Sequence, residues 1–395
     1  MLDLIQVAAQ PFAPLIGFAP LMRRAMRNDS LEPIAAALLK RAREHPTDAH
    51  ALLDASIVLQ LTGQAAAAML MQERALRLQT LYSLPARQPG LTLLAIMSPG
   101  ELMWNTPLEL LLEDGDVSLD LLYLEPGQEW PETVPSHDVM FVAMAECEAN
   151  QPLLRRLAGA AAQWPRPVVN PPLRIAALSR DGASMLLRDI AGTLMPPTVR
   201  VERATLGQRR DFPLIVRPID SHAGQDLALL RQDSDVAEYL ERIDASCFYL
   251  SPFIDYRSAD GCYRKYRVAL IDGRPYISHL AISSHWVVHY LNAGMDQSAD
   301  KRAEEAASMA QFDQQFAVRH AAALHTIYER AGLDYLTVDC AETAGGELLI
   351  FEVGTAMLVH ALDDETRYPY KQPAMRTLFA AFRRMLETAR TRAPG

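Results

Sequence analysis

The sequence predicts an α/β protein with an all-α N-terminal region. Three observations carry this reading. Residues before about Pro85 follow a helical period only. From Leu91 onward, short apolar runs alternate with amphipathic stretches, the pattern of a mainly parallel sheet covered on both faces. Half of the 395 residues are hydrophobic and 22% are charged, so the chain has material for a sizeable core. The boundaries read as a helical domain over 1–86, an α/β domain over 87–172 and a larger domain over 173–395. The last divides into halves of about 196–259 and 260–395.

Leu31 to Arg43 places Leu31, Ile34, Leu38 and Leu39 on one helix face. Asp48 can cap the next helix, which carries Leu52, Leu53, Ile57, Leu59 and Leu61 and breaks at Gly63. A third helix runs from Gln64 to about Leu78. The run Leu59 to Gly63, with Ala67-Ala68 and Ala75-Leu76 after it, resembles a tetratricopeptide helical pair. The unit is too short for a free-standing array, so three helices capping a neighbouring domain is preferred over a peptide-binding groove. Met1 to Met22 is apolar but interrupted by Pro11, Pro14 and Pro20, with Asp3 where an export signal would be basic. It reads as an arm that packs on the body or on a second copy, which would make a homodimer.

In the second segment, Leu91–Met97, Val117–Leu124, Asp138–Ala145 and Val168–Asn170 read as strands. Pro107–Leu112 and Glu148–Ala162 read as helices. In the third, Arg180–Ile190 and Val236–Ile243 are helices, and Phe212–Arg217 and Cys247–Ile254 are strands. Arg264–Ile271 and Arg274–Ser283 pair across Asp272-Gly273, a strong hairpin signal. The polar stretch Asp296–Ala310 is expected as a lid. A helix over Phe316–Ala331, strands over Tyr335–Glu342 and Glu347–Val353, and a helix over Arg376–Arg390 complete the chain.

A net charge of −10 argues against a general nucleic-acid binder, while leaving room for a local basic pocket. No uninterrupted run of about 20 apolar residues occurs, so no membrane span is expected. Cys147, Cys247, Cys262 and Cys340 stand far apart, with no CxxC pair, so reduced thiols in a cytoplasmic protein are expected. The P-loop, dinucleotide, zinc-protease and nucleophile-elbow motifs are missing from the sequence.

The informative stretch is Leu333 to Asp363. Asp339 and Glu352 lie near the ends of successive strands joined by a Gly-Gly turn, so their carboxylates can sit side by side. Two hard oxygens are what Mg²⁺ uses when phosphates and water supply the rest. Arg217 ends a strand and precedes a small-residue loop containing Ser221, His222 and Gly224, a plausible cradle of backbone N–H groups for phosphate. The edge of Tyr249–Ile254 could present backbone groups and Phe253 to an adenine ring, and Arg267 can face the carboxylates from the hairpin.

In that order these elements resemble the ATP-grasp superfamily, over roughly Leu91 to Ala389. The nearest branch holds glutathione synthetase and the ribosomal-protein glutamate ligases. The resemblance implies an ATP-grasp fold behind a pre-ATP-grasp domain. It implies Arg180 and Arg217 on nucleotide phosphates, and Ser251, Phe253 and Ile254 at adenine, with Asp255 near the ribose. It places Asp339 and Glu352 on Mg²⁺, and puts His222 and the stretch Ser284–Asn292, including His289, along the substrate. Arg267, His222 and His289 are the residues expected in catalysis. Three departures stand out. Arg217 replaces the usual Lys, the loop after it keeps only Gly224, and Gly354 replaces the Asn two residues after the metal Glu. Asp363 and Asp364 are then candidates for a third ligand.

The implied reaction is ATP-dependent carboxylate–amine ligation through an acyl phosphate. ATP and Mg²⁺ are the implied cofactors. A small-molecule or peptide carboxylate and an amine are the implied partners. A non-catalytic nucleotide-binding scaffold is the alternative, and a phosphotransferase on the same fold is a third reading.

Overall fold

The computed structural model describes residues 12–113, 115–125, 127, 130–131, 133–219, 221 and 224–392, and the backbone of 3–5. The chain opens with β1 (Asp3–Ile5) and helices α1 (Phe18–Met26), α2 (Glu32–Glu44), α3 (Ala49–Leu61) and α4 (Ala65–Leu78). Asp48 caps α3 by accepting from the Ala51 N–H at 2.9 Å, and its carboxylate is held by Arg41 at 2.6 Å. Gly63 closes the helix with φ 78°. Helix α3 is buried from Ala49 to Leu59, on every face. An apolar helix of that kind needs a neighbour all round. Its core is accordingly shared with Leu93, Phe141 and Phe382 from elsewhere in the chain.

The next elements are β2 (Leu81–Leu84), β3 (Leu91–Met97), α5 (Leu108–Leu111), β4 (Val117–Tyr123), β5 (Thr133–Pro135), β6 (Val139–Val142), α6 (Gln151–Ala161) and β7 (Val168–Val169). They form a sheet in the order β2-β4-β3-β6-β7. The inner pairings are parallel, and β2 is an antiparallel edge. Strands β3 and β6 are almost wholly buried, as parallel strands with both faces covered must be.

The chain continues through α7 (Pro172–Ala176), α8 (Arg180–Leu187), β8 (Thr193–Leu194), β9 (Val199–Glu202), α9 (Arg203–Leu206), β10 (Leu214–Pro218), β11 (Ala228–Leu230), α10 (Asp233–Arg242) and β12 (Cys247–Pro252). Strands β11-β10-β12-β9 make an antiparallel sheet with its own small core, closed by α10. Last come β13 (Tyr263–Ile271), β14 (Arg274–Ser283), α11 (Ala299–Gln311), α12 (Phe316–Arg319), α13 (Ala321–Ala331), β15 (Tyr335–Glu342), β16 (Leu348–Gly354) and α14 (Lys371–Arg390). Their sheet runs β14-β13-β15-β16-β8. The β13–β14 turn uses Asp272 at φ 47° and Gly273 at φ 75°, the two positive-φ positions such a hairpin requires.

Helix α14 joins the layers. Phe382 packs edge-on against Tyr335 of the last sheet at 5.1 Å and against Phe141 of the first at 5.9 Å. The protein is thus a mixed α/β structure with helices gathered at its N-terminus. One sequence expectation changes here. Asp296–Ala310 is no loose lid, because it contributes most of α11, whose Glu305 is fully buried. That carboxylate accepts from the Leu280 N–H at 3.1 Å, the Tyr290 hydroxyl at 2.8 Å and the Tyr370 hydroxyl at 2.7 Å. Among the described residues, no helix is long and apolar enough to cross a membrane.

Candidate active site

A cavity of about 430 Å³ is lined by residues of the β9–β12 sheet, the β13–β16 sheet and the start of α8. Its polar wall follows from strand register. His279, Arg267, Asp339 and Glu352 occupy one cross-strand row over β14, β13, β15 and β16. Residues in such a row share a face of the sheet. Bulges interrupt the ladders beside Arg267 and beside Asp339, where re-aimed side chains are to be expected.

Asp339 is 3% exposed and carries two cations. Arg267 grips it with Nε on Oδ1 at 2.8 Å and a terminal nitrogen on Oδ2 at 3.0 Å. Lys265 Nζ donates to Oδ2 at 2.8 Å. Burial opposes the Asp339 charge, but Arg267 and Lys265 outweigh it and hold the carboxyl far below the usual carboxylate range. Burial likewise opposes the Arg267 charge, and Asp339 outweighs it, so Arg267 is held above its ordinary value.

Arg180, the first residue of α8, reaches Glu352 at 2.8 Å. Burial disfavours the Glu352 charge, yet Arg180 and Arg217 overcome it and lower its pKa. Arg217 ends β10 and folds back onto its own loop, donating from Nε to the Ser221 hydroxyl at 2.9 Å and from a terminal nitrogen to the Ser221 carbonyl. Burial, then the like charge of Arg180, brings Arg217 down to about 10, so it stays charged at neutral pH. The Ser221 hydroxyl in turn donates to the Pro218 carbonyl at 2.9 Å.

The cavity also has apolar lining members. Phe253 and Trp286 line it with ring centroids 5.7 Å apart and nearly perpendicular, beside Ile254, Met195 and Leu349. Ser251 and Gly224 line it as well. His289 also lines the cavity, and burial, then Lys265 and Arg267, pushes its imidazole toward the neutral form.

The cavity therefore brings together Arg180, Arg217, Ser221, Gly224, Ser251, Phe253, Ile254, Arg267, His289, Asp339 and Glu352. Asp255 is a correction. Its carboxylate turns outward to Arg257, with contacts of 3.0 and 2.6 Å, and it is not among the lining residues. Asp363 and Asp364 also fall elsewhere. Asp363 pairs with Lys371 at 3.2 Å, and Asp364 accepts from the Thr366 N–H at 2.8 Å. His222 lies outside the described residues. Sequence reasoning missed Lys265, whereas Trp286 falls in the Ser284–Asn292 stretch expected along the substrate. Lys265 could have been found from the period of two, which puts it on the face of Arg267.

The fit to a divalent ion follows from these donors. Two carboxylates in one row suit an Mg²⁺ that arrives with nucleotide and keeps phosphate and water ligands. Among the described residues, no group of three or more His, Cys, Asp and Glu side chains could hold a metal by itself.

Fold and site together define an α/β protein with a cation-rich cavity that aromatic side chains also line. No family model matches the chain, and no curated protein matches it. Solved structures do show similarity. The chain is similar to the D-alanine–D-alanine ligase from Bacillus anthracis complexed with ATP, at 13% identity over 76% of this chain and 98% of that one, with a TM-score of 0.46. It is similar to the VanG D-Ala:D-Ser ligase from Enterococcus faecalis, at 14% identity over 77% of this chain and 100% of that one, with a TM-score of 0.47. It is also similar to the D-alanine–D-alanine ligase from Coxiella burnetii, at 12% identity over 75% of this chain and 97% of that one, with a TM-score of 0.43. Likeness at this level does not assign a substrate.

Proposed function

We propose that the protein is an ATP-dependent carboxylate–amine ligase acting on a small carboxylic acid or peptide. The single observation that carries this is the clustering of Arg180 with Glu352 and of Lys265 and Arg267 with Asp339 in one cavity that Arg217, Phe253 and Trp286 also line. That layout suits a polyphosphate attached to a flat ring. The order of motifs along the chain, which resembles the ATP-grasp superfamily, supports the same reading. Residues 173–395 would hold the nucleotide between halves 196–259 and 260–395, with 1–86 and 87–172 as supporting domains.

In this reading Arg180, Arg217 and the Ser221–Gly224 loop bind phosphates. Ser251, Phe253 and Ile254 hold adenine. Arg267 stabilises charge on the phosphoryl group in flight. A substrate carboxylate oxygen attacks the γ-phosphorus and ADP leaves, giving an acyl phosphate. The amine then attacks the acyl carbon, phosphate leaves, and the amine proton passes to a base. His289, kept neutral beside Lys265 and Arg267, is placed for that role, with His222 as a second candidate. Asp339 and Glu352 would hold Mg²⁺, whose contribution when bound is to neutralise charge on the phosphates. Positioning and charge neutralisation, rather than a protein nucleophile, would supply the rate.

The second reading, a nucleotide-binding scaffold without turnover, is favoured by Gly354, which leaves the row without a third oxygen donor. A screen of carboxylates and amines for ADP release, with hydroxylamine as an acyl-phosphate trap, separates the two. ADP and a hydroxamate support the ligase. ATP binding with neither product supports the scaffold, and absence of ATP binding removes both.

A further inference from the structure

We propose that Lys265 stands in for a divalent cation between Asp339 and the bound phosphates, so that polyphosphate binds this cavity without metal. The inference rests on the nucleotide reading above and adds a mode of recognition to it. An ionised carboxylate offers about four lone-pair sites. Three of those on Asp339 already accept charge-assisted hydrogen bonds, two from Arg267 and one from Lys265. Glu352 gives Oε1 to Arg180 at 2.8 Å. Little of Asp339 is left to attract an ion ahead of nucleotide, and Glu352, which keeps Oε2, is a single ligand. Glu146 also lines the cavity but is not part of the β15–β16 row, Gly354 follows two residues after Glu352, and Asp363 is held by Lys371 at 3.2 Å.

The charge balance points the same way. Arg180, Arg217, Lys265 and Arg267 give +4, Asp339, Glu352 and Glu146 give −3, and the lining is left at +1. A net-positive lining in a cleft attracts a polyanion, because the cleft focuses the field of its charges. Lys265 is the residue suited to bridge. Its side chain is 15% exposed, lines the cavity and spends one ammonium proton on Asp339. An ammonium carries three donors, so two remain for phosphate oxygens. One cation touching Asp339 on one side and phosphate on the other performs the linking task of a metal, without a coordination cage.

The test is calorimetry on the full chain with a β,γ-imido analogue of ATP and with inorganic tripolyphosphate, each in excess EDTA and in excess Mg²⁺. The expected result is binding of both probes in EDTA, with affinity within about tenfold of that in Mg²⁺. Lys265→Met should weaken metal-free binding by about ten- to a hundredfold while leaving binding in Mg²⁺ measurable. Lys265→Arg, which keeps the charge, should recover most of the loss. Binding seen only with Mg²⁺ overturns the inference and leaves the nucleotide reading intact. Absence of binding in both buffers overturns the nucleotide reading itself. Undiminished metal-free binding by folded Lys265→Met overturns the role of Lys265. The wild-type comparison alone decides the metal question if the Met variant does not fold.

Discussion

Asn at position 339 is the most informative single change in this wall. Asp339→Asn keeps the size of the side chain and one oxygen acceptor, so it opens no cavity. It removes the charge that holds Lys265 at 2.8 Å and Arg267 at 2.8 and 3.0 Å. The lining moves from +4 − 3 = +1 to +4 − 2 = +2, with both orphaned cations only 15% exposed. Breaking a buried pair by removing one partner costs about 3–5 kcal/mol. Urea unfolding at pH 7 should show a loss of that size. The pH dependence has a defined sign. Asp339 is depressed below its ordinary value of 3.8, so its contribution is complete above that pH and is lost as pH falls through the folded-state value. The variant should therefore unfold with a weaker acid dependence below pH 3.8. Tripolyphosphate should restore part of the lost stability, because it neutralises the same cations. A loss below about 1 kcal/mol, the range of exposed ion pairs, would refute the buried-clamp reasoning.

Other predictions concern separate parts of the molecule. Glu109 accepts the Ala19 N–H at 3.1 Å, and burial raises its carboxyl to about 7 from an ordinary 4.5. A raised folded value means its stabilising contribution is complete below pH 4.5 and is lost as pH rises through about 7. Glu109→Gln should flatten the stability profile across that window in pH-dependent melts, and an unchanged slope would contradict this. Phe253→Ala should weaken ATP binding by about five- to 150-fold, from the worth of base–aromatic stacking, while leaving tripolyphosphate unaffected in the same titration. At Gly354 a Cβ would meet nothing within 4 Å, so Gly354→Asn should fold normally. It should also tighten Mn²⁺ binding in the nucleotide complex, followed by paramagnetic resonance, and equal affinity in both proteins would count against a cation site beside Glu352.

Much of the fold was legible because its signals are local. Asp272-Gly273 dictates a hairpin, and Asp48 caps α3 whatever surrounds it. The pairing of Asp339 with Glu352 was legible because a short turn fixes which residues of two adjoining strands meet. What failed depends on contacts distant in sequence or on a choice between equal partners. Glu305 lies in a stretch that reads as solvated, and the Leu280 N–H, Tyr290, Tyr370 and Lys371, brought from other elements, make its burial tolerable. Asp255 sits one residue past Ile254, and a pair with Arg257 two positions on was as available to it as the cavity. Lys265 was passed over although the strand period places it on the face of Arg267. Its meaning emerges only from register, which brings β13 against Asp339.

The central claim, that this cavity is a nucleotide site built on Arg180 and Arg217, is tested most directly by calorimetric titration of ATP into the wild type, Arg180→Ala and Arg217→Ala. The account predicts one ATP per chain for the wild type and affinity at least about tenfold weaker in each folded variant, as loss of a charged phosphate contact requires. Absence of binding by the folded wild type, or binding that neither substitution weakens, would contradict it.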